Sequence, residues 1–333
     1  MTEPHVSLAD IRAARDRIAG RIRLTPVERS SSLSDILGIP VHLKLEHQQA
    51  TGSFKLRGAT NAVLQLSDAQ RAAGIIGVST GNHGRGLARA AATEGIRCRI
   101  AMSTLVPSNK VEAIRAEGAE TLIEGRSQDE AQIVADRLAA EGATMLPPFD
   151  HPHVIAGQGT LGLELVEQVP QMATLLVPLS GGGLFAGVAR AVKALRPETR
   201  IIGVSMERGP AMKESLDAGH PVDVEELPTL ADSLGGGIGL DNRHTFPMVR
   251  DLIDDVILLS EAEIAAGIRH LYHHERQIVE GGGSVGVGAI LAGKVTSAGP
   301  VAIVVSGGNI DMTLHRRIVS GEDVDPMQEP PHA

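Results

Sequence analysis

The chain has a single cysteine, no tryptophan, one tyrosine and four phenylalanines among 333 residues. With Cys98 alone an intramolecular disulfide is impossible. Cys98 lies between Arg97 and Arg99 in an apolar stretch, where a buried free thiol is expected. Scarce stacking rings and a net charge of −9 argue against nucleic acid, whose partners need basic stripes and aromatic platforms. No apolar run approaches the length of a membrane span. The N-terminus lacks a signal-peptide core. Ser7-Leu8-Ala9-Asp10 instead opens an arginine-rich amphipathic helix, whose acids Asp10 and Asp16 also speak against a transit peptide. What remains is a soluble, cytoplasmic protein whose 42% hydrophobic content can bury one large core or two moderate ones. Neither an internal repeat nor a low-complexity tract is evident.

The chain is rich in short apolar strands that run into polar or glycine turns. Val41, Leu43 and Leu45 alternate with His42, Lys44 and Glu46, a period-two pattern. Thr51-Gly52-Ser53-Phe54-Lys55-Leu56-Arg57-Gly58 follows, and Leu56, Ala59, Val63 and Leu66 then recur at helical spacing. Lys55 is therefore placed at a strand-to-helix junction, where a side chain can point into a cleft. Ile75-Ile76-Gly77-Val78 runs into Ser79-Thr80-Gly81-Asn82-His83-Gly84, Leu175–Leu179 into Ser180-Gly181-Gly182-Gly183-Leu184, and Val301–Val305 into Ser306-Gly307-Gly308-Asn309. Buried strands with such turns at their carboxyl ends are how open parallel sheets build ligand crevices.

The glycines at 181–183 let backbone amides converge on an anion ahead of a helix N-terminus. Gly181-x-Gly183-x-x-Ala186 also fits a dinucleotide fingerprint, with Glu207 at a suitable distance for a ribose contact; a tight turn with no ligand is the third reading. A Walker phosphate loop is excluded, since no Gly-Lys-Ser/Thr follows. A dinucleotide does not use a lysine Schiff base. A desolvated lysine does bind an aldehyde, and pyridoxal 5′-phosphate (PLP) supplies both the aldehyde and a phosphate monoester.

These stretches, with Leu24-Thr25-Pro26 and Ala156-Gly157-Gln158-Gly159-Thr160, resemble the fold type II PLP enzymes of the threonine dehydratase and serine racemase family, in family order over roughly residues 20–315. The resemblance implies an α/β fold with two open, twisted, mostly parallel sheets flanked by helices. Residues 74–148 would form a small domain inserted in a large one built from 1–73 and 149–319, with PLP in the cleft between them. It implies that Lys55 carries PLP as a Schiff base and Phe54 packs beside the pyridine ring. Asn82 would bond the phenolic O3′. The amides of Gly181, Gly182, Gly183 and Leu184 would bind the phosphate, and Ser306 would face the pyridine nitrogen. Ser79, Thr80, Gly81 and His83 would hold the substrate carboxylate, and a homodimer is expected.

PLP is an electron sink, so the protein's task is to place the substrate Cα–H and tune the ring. A serine opposite the pyridine nitrogen cannot keep it protonated as an aspartate would, which favours rapid loss of a β-leaving group. Lys55 is the natural base for the Cα proton. The expected reaction is β-elimination of a 3-hydroxy-2-amino acid to a 2-oxo acid and ammonium. The alternatives are amino-acid racemisation, β-replacement and 3-hydroxyaspartate dehydration. Thr80 stands where the racemase resemblance has an acid–base serine, and a threonine keeps the hydroxyl but is stiffer. The stretches 79–85 and 232–239 look most like the hydroxyectoine-utilisation dehydratases. Arg85 and Arg243 are the side chains to watch for substrate choice, against a reading of both as solvated. No hard-cation site is expected, because Ala211 stands where a second carboxylate would be needed. No regulatory domain follows, so feedback control is not expected.

Other expectations are structural. Ser127-x-x-Glu130 and Ser260-x-x-Glu263 read as helix caps, and Gly142 as a helix end. His270, His273 and His274 read as a solvated helix face rather than a zinc site, and His151-Pro152-His153 as a loop. Residues 320–333 read as a flexible acidic tail.

Overall fold

The computed structural model describes residues 6–79, 81–104, 106, 108–125 and 128–328. Among the described residues ten strands make two sheets. Six strands form the larger one: β1 (Val27–Ser30), β2 (Val41–Leu45), β7 (Thr174–Pro178), β8 (Arg200–Met206), β9 (Asp255–Leu259) and β10 (Val301–Val305). Their order is β1-β2-β10-β7-β8-β9, and only the edge pair β1–β2 is antiparallel. The smaller sheet is parallel throughout, in the order β5-β4-β3-β6, from β3 (Ile75–Val78), β4 (Cys98–Met102), β5 (Glu120–Ile123) and β6 (Thr144–Met145). This is the α/β, fold type II arrangement expected from the sequence. The central strands β7 and β10 are buried at every residue, as strands of a parallel sheet covered on both faces must be.

β2, β3 and β10 occupy the stretches that the alternation and apolar runs delimit, and β7 starts one residue earlier than expected. The Ser260/Glu263 capping box forms, and so does one at Ser7/Asp10, which opens helix Leu8–Ile18. The expected cap at Ser127 lies outside the described residues. Helices Pro152–Gln168 and Gly183–Leu195 approach closely because both carry glycine at the crossing. A Cβ on Gly187 would lie 2.3 Å from the Ile155 carbonyl oxygen. Cys98 is buried, and burial pushes its thiol up to about 12.

Three expectations fail. His151-Pro152-His153 is the start of helix Pro152–Gln168: the His151 ring accepts from the His153 amide at 3.2 Å and Pro152 fills the first turn, where its missing N–H costs nothing. His270 is not solvated. It is 8% exposed, 2.8 Å from the Ser32 hydroxyl, and stacked on His274. The described part of the C-terminal tail is docked, with Val324 buried and the Asp325 carboxylate 2.8 Å from Arg208; residues 329–333 lie outside the described residues.

Lys44 extends no charge to solvent either. It is fully buried with Glu46 and Arg57, in a cluster that reaches Glu164 on helix Pro152–Gln168. The Arg57 guanidinium forks onto both carboxylates, 2.7 Å and 2.8 Å to Glu46 and 2.6 Å and 2.9 Å to Glu164. Lys44 donates to Glu164, to the Thr25 carbonyl at 2.8 Å and to Gln168 at 2.8 Å. Burial, the largest influence, would push the Glu46 carboxyl up, but the Arg57 charge and hydrogen bonds, the Lys44 charge and the Thr25 hydroxyl together outweigh it and hold the group below the usual carboxylate range. Arg57 is the third residue of helix Lys55–Leu64, so this cluster anchors the turn that carries Lys55.

Candidate active site

A cavity of about 510 Å³ opens at the carboxyl ends of β3, β7 and β10. Phe54, Lys55, Ser79, Gly81, Asn82, His83, Gly181, Gly182, Gly183, Leu184 and Ser306 all line it. These are the expected site residues, brought together from turns more than 200 residues apart in sequence. Thr80, also expected here, lies outside the described residues.

Lys55 opens helix Lys55–Leu64, and its Nζ donates to the Pro148 carbonyl at 3.1 Å. Burial pushes the amine down to about 8, with the Glu280 carboxylate opposing the shift. A lysine so desolvated is in part a free amine at neutral pH, which is what a nucleophile toward an aldehyde requires. The preceding Phe54 amide donates to the Ser306 carbonyl at 3.0 Å, so the lysine turn is stitched to the end of β10. Ser306 is buried, with its hydroxyl 3.3 Å from the Gly282 carbonyl.

Opposite Lys55 the glycine turn leads into helix Gly183–Leu195, whose first-turn amides have no intrahelical acceptor and face the cavity as an anion site. Gly182 takes φ 86°, the left-handed region that glycine enters at no steric cost. Across the cavity, helix Asn82–Thr93 begins at Asn82 and presents a second set of free N-terminal amides beside Ser79 and Gly81. The His83 ring donates to the Leu146 carbonyl at 3.0 Å. Burial, with help from the Lys55 charge, pushes it down to about 4, so His83 is neutral and offers the site its backbone amide.

Arg85 is partly buried in the cavity wall and donates to Asn309 Oδ1 at 2.9 Å, whereas Arg243 is exposed and lies outside the cavity lining. At the mouth, Lys110 and Asp232 meet at 3.2 Å, near Glu226 and Gly235–Gly237. Among the lining residues not anticipated from sequence, two stand out. Phe149 packs against the glycine turn, so that a Cβ on Gly181 would fall 2.4 Å from its ring. Glu280 is a buried carboxylate bonded to Asn82, and its only sequence signal is an acid standing directly before the glycine triplet 281–283. Among the described residues no group of three or more metal-ligating side chains occurs, and no helix is long and apolar enough to cross a membrane.

Residues 18–307 match the family described as pyridoxal-phosphate dependent enzyme. A protein of Sinorhizobium fredii provisionally named a threonine dehydratase is 60% identical over 95% of this chain and 96% of its own. The L-threonine ammonia-lyase of Thermotoga maritima is 40% identical over 95% of this chain and 78% of its own. The structure of maize serine racemase superposes with a TM-score of 0.89 at 36% identity, covering 95% of this chain and 98% of that one. The chain belongs to the pyridoxal-phosphate dependent enzyme family. The cavity suits that cofactor, pairing a depressed lysine amine with a glycine turn whose amides are open to a phosphate.

Proposed function

We propose that this enzyme removes the β-hydroxyl and the amino group of a 3-hydroxy-2-amino acid, giving a 2-oxo acid and ammonium. The observation that carries the reading is the meeting, in one cavity, of the Lys55 amine and the glycine turn 181–183. Pyridoxal phosphate, when bound, supplies the electron sink that acidifies the substrate Cα–H. Lys55 would hold the cofactor and, as a free amine, would take the Cα proton at Nζ. Gly181 to Leu184 would direct amides to its phosphate, with Phe54 to flank the ring, Ser306 to face its nitrogen and Asn82 its phenolic oxygen. The amides around Ser79, Gly81 and His83 orient the substrate carboxylate. Loss of the Cα proton and the β-hydroxyl releases water and leaves an enamine, which hydrolyses to the 2-oxo acid and ammonium. The division into a small domain, 74–148, and a large one, 1–73 with 149–319, is proposed on the same footing, as are a homodimer and a cytoplasmic location.

The substrate we propose is larger than threonine, a 3-hydroxy-2,4-diaminobutyrate or its acylated form, as in hydroxyectoine degradation. The charged mouth of Lys110, Asp232 and Glu226, beside Gly235–Gly237, supports a polar substituent beyond the β-carbon. Ammonium and 2-oxo acid release should be measured in parallel on L-serine, L-threonine, 3-hydroxyaspartate and the diaminobutyrate derivatives. The expected kcat/KM is roughly tenfold or more above that for L-threonine, the worth of one well-made polar contact. Equal or better rates on L-threonine would return the enzyme to the threonine dehydratases, and D-amino acid without 2-oxo acid would make it a racemase.

Gly182→Val should weaken cofactor binding. The clash that the substitution creates lies behind the turn. A Cβ at 182 would lie 2.8 Å from Met212 and 3.0 Å from both Thr245 and Val249, on a backbone at φ 86° that valine resists. The displaced turn loses at least one charge-assisted hydrogen bond, worth about 1.5–3 kcal/mol. Titration of pyridoxal phosphate into the variant checks this, and wild-type affinity would move the phosphate site elsewhere.

A further inference from the structure

Glu280 stands at the N-cap of helix Gly281–Leu291, where an acidic side chain ordinarily turns back on the first-turn amides, yet it makes no such bond. The carboxylate reaches into the cavity. Its Oε1 accepts from Asn82 Nδ2 at 2.7 Å and its Oε2 accepts from the Asn309 backbone amide at 3.0 Å. Gly307 makes room for it, since a Cβ there would lie 2.5 Å from Oε1. Asn82 Oδ1 accepts from Asn309 Nδ2 at 2.6 Å, Asn309 Nδ2 also donates to the Thr51 carbonyl at 2.9 Å, and Asn309 Oδ1 accepts from Arg85. The Asn82 amide is thus held at both ends by partners of fixed polarity. A flipped amide would set its oxygen against the Glu280 carboxylate and its nitrogen against the Asn309 nitrogen.

We propose that Glu280 is a positioning residue, whose ionised carboxylate fixes the Asn82 amide in the cavity and ties helix Asn82–Thr93 to the turn after β10. This rests on the reading of the cavity as the cofactor site. An ionised carboxylate only accepts hydrogen bonds, so it admits one orientation of Asn82 and leaves the second Nδ2 hydrogen for the cofactor's phenolic oxygen. A protonated carboxyl can donate as well, and the discrimination is lost. The ionisable groups coupled to Glu280 are Asp232 on the segment before Leu234, Lys55 on its helix and Arg85 on helix Asn82–Thr93. Burial first, then the Asp232 charge, pushes Glu280 up to about 7, against the hydrogen bonds from Asn82, Ser233 and Asn309. The orienting anion is therefore present above neutrality and lost below it.

The test is Glu280→Gln in the holoenzyme, near-isosteric but uncharged. Three readouts are needed: cofactor affinity, the pH dependence of the bound cofactor's near-visible spectrum, and kcat/KM against pH. Wild type should show a spectral transition near neutral pH that the variant lacks, with affinity roughly tenfold weaker in the variant. Asn82→Ala should abolish the same transition, and adding Glu280→Gln to it should change affinity little further, because the two act as one unit. Unchanged affinity and an unchanged transition in Glu280→Gln would overturn the proposal, as would additive effects in the double variant. A wild-type spectrum flat across neutral pH would overturn it even if the variant failed to fold. Absence of any bound cofactor in wild type is a different result, and it would refute the cofactor reading itself.

Discussion

Lys55→Ala should abolish turnover and remove the near-visible absorbance of bound pyridoxal phosphate, while leaving the fold intact. The effect should be close to total because no other described lysine combines a cavity position with an amine pushed down to about 8. Lys110, the other lysine on the lining, sits at the mouth and is tied to Asp232. In the proposed role Lys55 both holds the cofactor and moves the Cα proton, so its loss would remove two functions at once, and such losses do not simply add. Lys55 contributes a single hydrogen bond to Pro148, so circular dichroism and thermal unfolding should stay near wild type. A yellow, active Lys55→Ala protein would sink the assignment.

Arg57→Met should produce the largest loss of stability. Its guanidinium is fully buried and is shared between Glu46 and Glu164, and methionine would leave Glu46 ionised in the core without a cationic partner in contact. Breaking a buried pair in this way costs about 3–5 kcal/mol. Lys44→Met should cost less, since Glu164 would keep its contacts with Arg57. Urea unfolding of the two variants, with bound cofactor content followed alongside, checks both statements. If Arg57→Met unfolds at the wild-type midpoint, the cluster does not anchor the Lys55 turn.

The contrast between the two residues shows what could be read from the chain. The Lys55 turn, the Asn82 turn and the glycine run 181–183 announce themselves because the chemistry they need is local: a polar or glycine turn directly after an apolar strand. The positions of β2, β3, β7 and β10, to within a residue, follow from the same local pattern. The Arg57 cluster is invisible to that logic. Lys44 and Glu46 alternate with apolar residues and read as an outward face, but Glu164 covers that face from a helix 120 residues beyond Lys44. Glu280 fell outside the expected site for a related reason: its partner Asn82 lies 198 residues away, and a lone acid before glycines has no spacing to betray it. His270 reads as solvated because the pairing of its ring with Ser32, 238 residues away, is likewise long-range. His151 was misread because histidine is not an ordinary cap residue. The tail was misread because its acidic composition gives no sign of Arg208 waiting as a partner.

The central claim is that Lys55 is the amine that holds pyridoxal phosphate, and it is tested most directly on protein stripped of cofactor. The rate of pyridoxal phosphate capture should be followed against pH, with the adduct reduced and located by peptide mass spectrometry. Because burial depresses the Lys55 amine to about 8, the free-base fraction, and with it the capture rate, should rise about tenfold per pH unit below that value and level off above it. The reduced adduct should sit on Lys55 alone. A capture rate that keeps climbing toward the ordinary lysine range, or an adduct found on another residue, would contradict the account.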